Sequence, residues 1–234
     1  MGQYQWRVLP FGLTNAPATF QATMNAIFRP LIGKCVLVYL DDILVYSKTP
    51  EEHAQHLQQV LQVLAENKLY AKLAKCRINM PNTAFLGHIV GKDNIQPDPA
   101  KISIVADWPT PTNISELRSF LGLTNYFRRF VQGYSKIAAP LFQLLSTKAQ
   151  WNWTATCTEA FEGLKHALTH APVLGIPDLN KPFEVVCDAS DSAIGAILIQ
   201  DGKPIAYEGR DSPQLRWASA TALQTESCWL LSMP

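Results

Sequence analysis

Two short apolar runs with a pair of aspartates between them constrain this chain more than any other feature of its sequence. The runs cover residues 37–40 and 43–46, and Asp41 and Asp42 separate them. Short runs of Val, Leu, Ile and Tyr are typical of buried β-strands, and two adjacent carboxylates cannot extend such burial. The sequence therefore predicts a β-hairpin whose arms are central strands and whose turn holds both carboxylates in a buried setting.

The two aspartates allow two interpretations. Adjacent buried carboxylates repel each other unless a cation lies between them, and a hard divalent ion that binds oxygen ligands suits this position. This gives the hypothesis of a Mg2+ site at Asp41 and Asp42. The alternative is a solvated hairpin tip, because Asp is common in turns. The pair Asp-Asp is not the Asn-Gly or Asp-Gly pair of a tight tip, which favours the metal site.

The hairpin and the segment before it resemble a known family. Residues 39–42 (YLDD) in their apolar frame resemble the catalytic hairpin of reverse transcriptases, and residues 9–21 (LPFGLTNAPATFQ) resemble the segment that precedes it in gypsy-type LTR retrotransposon Pol polyproteins. The resemblance extends to about residue 210. It implies an α+β fold: a partial polymerase palm with an antiparallel sheet and helices, a small helical thumb, and the opening strands of a ribonuclease H-like domain.

The resemblance also implies roles for particular residues. Asp41 and Asp42 would be two of the palm carboxylates that hold a pair of Mg2+ ions for an in-line displacement. The residues implied for the incoming nucleotide are Phe11, Gly12, Tyr39 and Lys75. Lys72 competes with Lys75 for the phosphate, on a segment expected to be a strand. The residues implied for the primer and template are Phe85, Leu86, Gly87 and His88, in a strand that resembles the primer-gripping hairpin, and the thumb arginines Arg128 and Arg129.

The C-terminal third predicts a meander of three strands. A strand that ends in Asp188 precedes a second strand, the turn Asp201-Gly202 and a third strand. This order resembles the opening of a ribonuclease H domain, with Asp188 at the position of its first metal-binding carboxylate. Without the resemblance, an aspartate at a strand end is more often a turn former.

Helix signals connect these segments. Helices are predicted over residues 16–27, after Pro50 with Thr49 as N-cap, after the capping pair Asn113 and Glu116, and after the capping pair Thr156 and Glu159. In the last helix Phe161, Leu164 and Leu168 face inward. His53 and His56 share one helix face, where solvated histidines are favoured over a metal pair.

Charge and cysteine usage limit the partners. The net charge is +1, so nucleic-acid binding would depend on local clusters of the 20 Lys and Arg residues. The five cysteines contain no Cys-x-x-Cys pair, which fits reduced thiols in an intracellular protein better than disulfides or zinc. We find no signal peptide and no apolar run of the roughly 18 residues that cross a bilayer, so no membrane partner is expected.

The ends of the chain differ from the family pattern. The strand that bears the first catalytic aspartate of the family would lie upstream of residue 1. After residue 210 the family residues are compatible only with another reading frame of the codons for 211–216 and 225–234, which predicts a frameshift. The predicted domains are 1–95 (palm with primer-grip hairpin), 96–150 (thumb), 151–210 (connection and ribonuclease H-like opening) and 211–234 (out-of-frame tail).

The sequence therefore predicts which family this chain descends from, but it does not predict that the chain alone is active. The chain is interpreted as a piece of an RNA-directed DNA polymerase with ribonuclease H, whose partner would be an RNA/DNA primer–template and whose catalysis alone is not expected. The alternative is a non-catalytic nucleic-acid-binding protein derived from a retroelement. The sequence leaves the oligomeric state open.

Overall fold

The computed structural model describes residues 8–10, 12–146, 150–189 and 193–211. These residues divide into two compact units, with the boundary between Pro81 and Asn82. Helices alternate with antiparallel sheets, which confirms the predicted α+β fold. The four predicted domain ranges remain predictions, and the predicted tail from residue 212 onward lies outside the described residues.

The first unit is built from two helices and one hairpin. In chain order its elements are α1 (Ala16–Phe28), β1 (Val36–Tyr39), β2 (Asp42–Val45) and α2 (Pro50–Glu66). Pro17 lies in the first turn of α1, and the Thr49 hydroxyl accepts a hydrogen bond from the Glu52 N–H at 3.2 Å, as predicted for the two helix starts. The helices cover one face of the hairpin through a small core of Met24, Phe28, Cys35, Val36, Val60 and Leu64.

The second unit begins with a four-stranded antiparallel sheet. Its strands, in spatial order, are β3 (Thr83–Phe85), β4 (His88–Val90), β5 (Asn94–Pro97) and β6 (Leu174–Gly175). Residues 85–90, predicted as one strand that resembles a hairpin, form the turn and flanking strands of a hairpin, because Leu86 and Gly87 both have positive φ.

Four helices form the main core of the second unit. They are α3 (Pro99–Ala106), α4 (Ile114–Tyr126), α5 (Tyr134–Leu144) and α6 (Ala155–Thr169). Asn113 caps α4 as predicted, since its Oδ1 accepts from the Glu116 N–H at 2.9 Å and its Nδ2 donates to the Glu116 carboxylate at 2.7 Å. Phe120 and Phe161 pack in this core with ring centroids 4.5 Å apart.

The last described elements form the predicted three-stranded meander. Its strands are β7 (Glu184–Ala189), β8 (Ala193–Gln200) and β9 (Lys203–Asp211). Strand β9 lies against the helices of the second unit: the Ser135 hydroxyl donates to the Gly209 carbonyl at 2.8 Å, and Arg128 pairs with Glu208 at 3.4 Å. The meander and the helical core therefore belong to one compact unit.

Two local predictions are wrong. The lysine segment predicted as a strand contains a short 3-10 helix (Leu73–Lys75), since no strand of the described residues pairs with it. Helix α6 begins at Ala155 after Thr154, so Thr156 is not its cap. No side-chain hydrogen bond caps this helix, and Cys157 and Phe161 are buried in its first two turns. None of the helices in the described ranges combines the length and apolar character that crossing a bilayer requires.

Candidate functional site

The two aspartates lie at the tip of the β1–β2 hairpin. Tyr39 pairs with Asp42 across the strands, so Leu40 and Asp41 form the turn and Asp42 is the first residue of β2. The predicted hairpin is confirmed. Both carboxylates are exposed, so the prediction of buried carboxylates between central strands is wrong. Within the described residues the hairpin is a two-stranded sheet, and such a sheet leaves the side chains at its tip in solvent.

Neither carboxylate is engaged by another group of the described residues. Among the described residues no hydrogen bond or ion pair joins the side chain of Asp41 or Asp42, and no cluster of three or more His, Cys, Asp or Glu side chains there suits a metal ion. The hairpin thus offers two free carboxylates on adjacent residues. Magnesium is usually held by one or two carboxylates together with water and substrate phosphates, so this donor set fits the ion in number and type.

The residues implied for the nucleotide lie in the first unit, except that Phe11 is outside the described residues. Gly12 has φ +93° and open space where a Cβ would stand, a conformation that favours glycine. Tyr39 is 54% exposed next to the hairpin turn. Lys75 is exposed, and among the described residues no hydrogen bond or ion pair joins its side chain to the hairpin.

The residues implied for the primer form the turn of the β3–β4 hairpin in the second unit. Phe85 and His88 pair across the strands, and Leu86 and Gly87 turn the chain with φ of +46° and +71°. The Tyr126 hydroxyl, at the end of α4, donates to the Leu86 carbonyl at 2.5 Å. A Cβ at Gly87 would stand 3.5 Å from the Tyr126 ring, so glycine permits both the turn and this contact.

His88 lies among the aromatic side chains of the helical region. Its Nδ1 donates to the Leu86 carbonyl at 2.7 Å, and its Nε2 is buried without a hydrogen-bond partner among the described residues. Burial lowers the pKa of His88, the Leu86 carbonyl opposes this effect, and the charge of Arg129 lowers the pKa further. Its ring centroid lies between 5.4 and 5.6 Å from those of Tyr126, Phe127 and Phe130.

This environment predicts a loss of stability in mild acid. The pKa of His88 in the folded chain is below its ordinary value of 6.5, so between the two values the unfolded chain binds more protons. The contribution of His88 to stability is therefore complete above pH 6.5 and decreases as the pH falls toward the folded-state pKa. Urea unfolding between pH 7.5 and 5 should show this decrease. His88→Phe should flatten it and the exposed control His166→Gln should not; equal pH profiles for all three proteins would contradict the assignment.

The two thumb arginines differ in their surroundings. Arg128 is half exposed and its Nη2 lies 3.4 Å from the Glu208 carboxylate of β9. Arg129 is partly buried: its Nε has no hydrogen-bond partner among the described residues, its guanidinium lies 5.8 Å from the Phe130 ring centroid, and burial lowers its pKa. Arg128 is thus the cation that a phosphate can reach from solvent.

Asp188, implied for the ribonuclease H metal, lies on β7. It pairs with Gly195 of β8, and its side chain is exposed. It belongs to no group of three metal-ligating side chains within the described residues. Asp188 therefore contributes one carboxylate at this position.

Sequence reasoning did not identify three contacts of these sites. Gln21 of α1 hydrogen-bonds the backbone of the aspartate turn, Tyr126 holds the Leu86 carbonyl, and Glu208 pairs with Arg128. The sequence does contain an indication of the Gln21 contact. Gln21 is a polar residue between Phe20 and Met24, on the side of α1 that packs in the core. The other two depend on pairings across 40 or more residues, which no local pattern reveals.

Two known protein families match two separate segments of this chain. Residues 1–90 match the family "Reverse transcriptase (RNA-dependent DNA polymerase)". Residues 153–221 match the family "RNase H-like domain found in reverse transcriptase". The aspartate hairpin lies in the first match, and the β7–β9 meander lies in the second. Families of these two kinds generally use divalent metals.

Similar proteins come from transposons. The chain is 43% identical over 210 residues to the "Retrovirus-related Pol polyprotein from transposon 297" of Drosophila melanogaster. The aligned region covers 89% of this chain and 20% of that protein. It is 38% identical over 211 residues to the "Transposon Tf2-3 polyprotein" of Schizosaccharomyces pombe, covering 88% of this chain and 16% of that protein. The chain thus spans about a fifth of the length of the curated relatives it matches.

Solved reverse transcriptases share the fold. A foamy viral protease-reverse transcriptase in complex with dsDNA has a TM-score of 0.79 at 29% identity, covering 97% of this chain and 48% of that chain. The same kind of protein in complex with an RNA/DNA hybrid has a TM-score of 0.76 at 31% identity, covering 88% of this chain and 28% of that chain. The alternative of a non-catalytic retroelement-derived binder is not what these comparisons support. The chain therefore contains segments that match a reverse transcriptase family and an RNase H-like domain family, and it is similar to the Pol polyproteins of gypsy-like transposons at 35–43% identity.

Proposed function

We propose that this chain supplies two metal-binding carboxylates, a primer-side hairpin and a thumb to Mg2+-dependent nucleotidyl transfer by an RNA-directed DNA polymerase. The observation that carries the proposal is the pair of free, exposed carboxylates of Asp41 and Asp42 at the tip of a hairpin. The match of residues 1–90 to reverse transcriptases supports the same role. The activity is that of the longer polyprotein, and this chain alone is not expected to catalyse the reaction.

The carboxylates of Asp41 and Asp42 would hold the metal. When bound, Mg2+ would stabilise the charge on the phosphates during transfer of a nucleotide to the primer 3′-hydroxyl. The chain's own contribution is to hold two negative charges at adjacent positions of a paired backbone, where their mutual repulsion favours a divalent cation. Water and substrate phosphates would complete the coordination of the metal.

The nucleotide would lie against the first unit. Gly12 presents backbone without a side chain, which permits a close approach by a ligand. Tyr39 offers an exposed ring beside the aspartate turn, and Lys75 offers an exposed cation for a phosphate. These three roles and that of Phe11 follow from the resemblance to reverse transcriptases.

The primer and template would contact the second unit. The Tyr126 hydroxyl at the end of α4 donates a hydrogen bond to the turn of Leu86 and Gly87. This hydrogen bond joins the primer-side hairpin directly to the thumb helix. Arg128, one residue beyond Phe127, adds a solvent-accessible cation next to this joint. The foamy viral relatives were solved with dsDNA and with an RNA/DNA hybrid, which supports a nucleic-acid duplex as the partner.

The meander would contribute to ribonuclease H chemistry. Asp188 stands on β7 within the segment that matches the RNase H-like domain. Its exposed carboxylate would hold one divalent ion, and further ligands would complete that site. Asp188 is thus the residue whose exchange for asparagine would test this half of the function.

Binding of a primer–template duplex tests the proposal at the thumb. A protein that neutralises phosphates releases counterions, so its affinity falls linearly with salt on a logarithmic scale. Arg128→Gln should lower the magnitude of this slope by about 1, as expected for one lost phosphate contact. Fluorescence anisotropy of a labelled RNA/DNA duplex between low and moderate salt measures the slope.

Lys181→Gln is the matched control for this measurement. Lys181 is as exposed as Arg128 and is also ion-paired, at 2.7 Å to Asp201, but it lies in the loop before β7. Lys181→Gln should therefore leave the salt dependence of duplex affinity unchanged. Equal losses in the two variants would indicate non-specific attraction, and an affinity that does not respond to salt would contradict the proposed duplex contact.

A further inference from the structure

We propose that Gln21 is a positioning residue for the Asp41 and Asp42 carboxylates, and that it acts by fixing the backbone of the turn between β1 and β2. The inference rests on the proposed function, because it assumes that the two carboxylates hold a divalent cation. Gln21 hydrogen-bonds the backbone at Val38 and Leu40, so it acts through the backbone and not on the carboxylates themselves. Nothing in the sequence pattern of the hairpin requires a residue of α1 for this purpose.

The side-chain amide of Gln21 uses both of its ends. Its Oε1 accepts a hydrogen bond from the Leu40 N–H at 2.5 Å, and its Nε2 donates to the Val38 carbonyl at 3.2 Å. The same Nε2 donates to the Asn25 Oδ1 at 2.8 Å, one helical turn further along α1. The amide therefore bridges the last part of β1 and the turn itself.

The turn has a backbone conformation that its sequence does not favour. Leu40 has φ +51°, whereas Asp41 is not among the described residues with positive φ. A positive φ at the first central residue alone is the pattern of a type II′ turn, where glycine is preferred. A residue with a Cβ adopts this conformation only when its surroundings impose it. The hydrogen bond from the Leu40 N–H to Gln21 is such a constraint.

A change in this turn would move both carboxylates together. Asp41 is the second central residue of the turn, and Asp42 follows it as the first residue of β2. Their side chains are exposed and have no hydrogen bonds of their own in the described part of the chain, so the backbone of the turn sets the positions from which both side chains project. Groups that orient metal ligands typically change metal affinity about 10- to 100-fold when they are removed.

The test uses the full chain and Mn2+ as the probe. Gln21→Met keeps the length and apolar stem of the side chain and removes its hydrogen bonds to the Leu40 N–H and the Val38 carbonyl. It should weaken the binding of Mn2+ that depends on Asp42 by about tenfold, measured by the EPR signal of free Mn2+ and by competition with Mg2+. Asn25→Ala removes only the helix-side bond and should stay within about twofold of the wild type by the same reasoning.

A second substitution separates positioning from general stability. Glycine at position 40 adopts the positive φ without the hydrogen bond to Gln21. Adding Gln21→Met to the Leu40→Gly variant should therefore change Mn2+ affinity by less than about twofold. The Leu40 N–H should also exchange with solvent faster in Gln21→Met than in the wild type, as measured by hydrogen exchange. A lower melting temperature for Gln21→Met with unchanged Mn2+ affinity would overturn the inference.

The outcomes distinguish this inference from the proposed function. If the wild type binds Mn2+, Asp42→Asn removes that binding and Gln21→Met does not alter it, only the role of Gln21 is overturned. If Asp42→Asn leaves Mn2+ binding unchanged, or the wild type binds none, the metal site is absent and both proposals are overturned. Loss of affinity in Gln21→Met together with rescue by Leu40→Gly supports both.

Discussion

Phe161→Ala is expected to reduce the free energy of unfolding of the second unit by about 3–5 kcal/mol. Phe161 is fully buried in α6, with its ring centroid 4.5 Å from that of Phe120 and 6.0 Å from that of Trp153. The ammonium group of Lys165 also lies 5.0 Å from the ring centroid. Alanine would remove all three contacts and leave a cavity at the centre of the helical core.

Chemical denaturation followed by tryptophan fluorescence measures this effect, because Trp153 packs against the substituted ring. Phe142→Ala is the matched control: Phe142 is 38% exposed on α5, and its loss should cost less than about 1 kcal/mol, as is usual for partly exposed positions. A gradual transition in the wild type, or equal costs for the two substitutions, would show that the helical core is not a cooperative unit.

The sequence predicted most helices of this chain because their signals are local. The Thr49 cap of α2 and the reciprocal pair of Asn113 and Glu116 at α4 involve residues at most four positions apart. Phe161 and its apolar neighbours in α6 follow from helical spacing. The start of α6 was misplaced because Thr154 and Thr156 are both suitable caps and neither caps the helix through its side chain.

The sequence predicted the elements of the site better than their environment. The hairpin of Asp41 and Asp42 is a local pattern, but the exposure of its tip depends on which strands lie beside it. Likewise, nothing near His88 in sequence indicates its aromatic surroundings, which come from Tyr126, Phe127 and Phe130 about 40 residues later. The ion pair of Arg128 has the same origin, because its partner Glu208 lies far later in the chain, on β9.

Asp41→Asn is expected to lower Mg2+-dependent primer extension by at least about 100-fold, the scale of losing one preorganised charge interaction in a transition state. Asparagine keeps the shape of the side chain and removes its charge, so one of the two free carboxylates of the hairpin is lost. The assay compares wild type and variant within a longer polymerase polyprotein that contains this chain, because the chain spans 20% of its transposon 297 relative. Extension of a DNA primer on an RNA template is the measured quantity.

The stability of the same variant identifies the reason for the loss. Without metal, the adjacent charges of Asp41 and Asp42 repel each other, so removing one should leave thermal stability unchanged or raise it. Catalytic loss without destabilisation is thus the expected combination, whereas a structural role of Asp41 would lower thermal stability as well. Asp107→Asn, which neutralises an exposed carboxylate at the end of α3, should preserve extension. Full extension by Asp41→Asn would mean that the hairpin carboxylates do not serve the reaction.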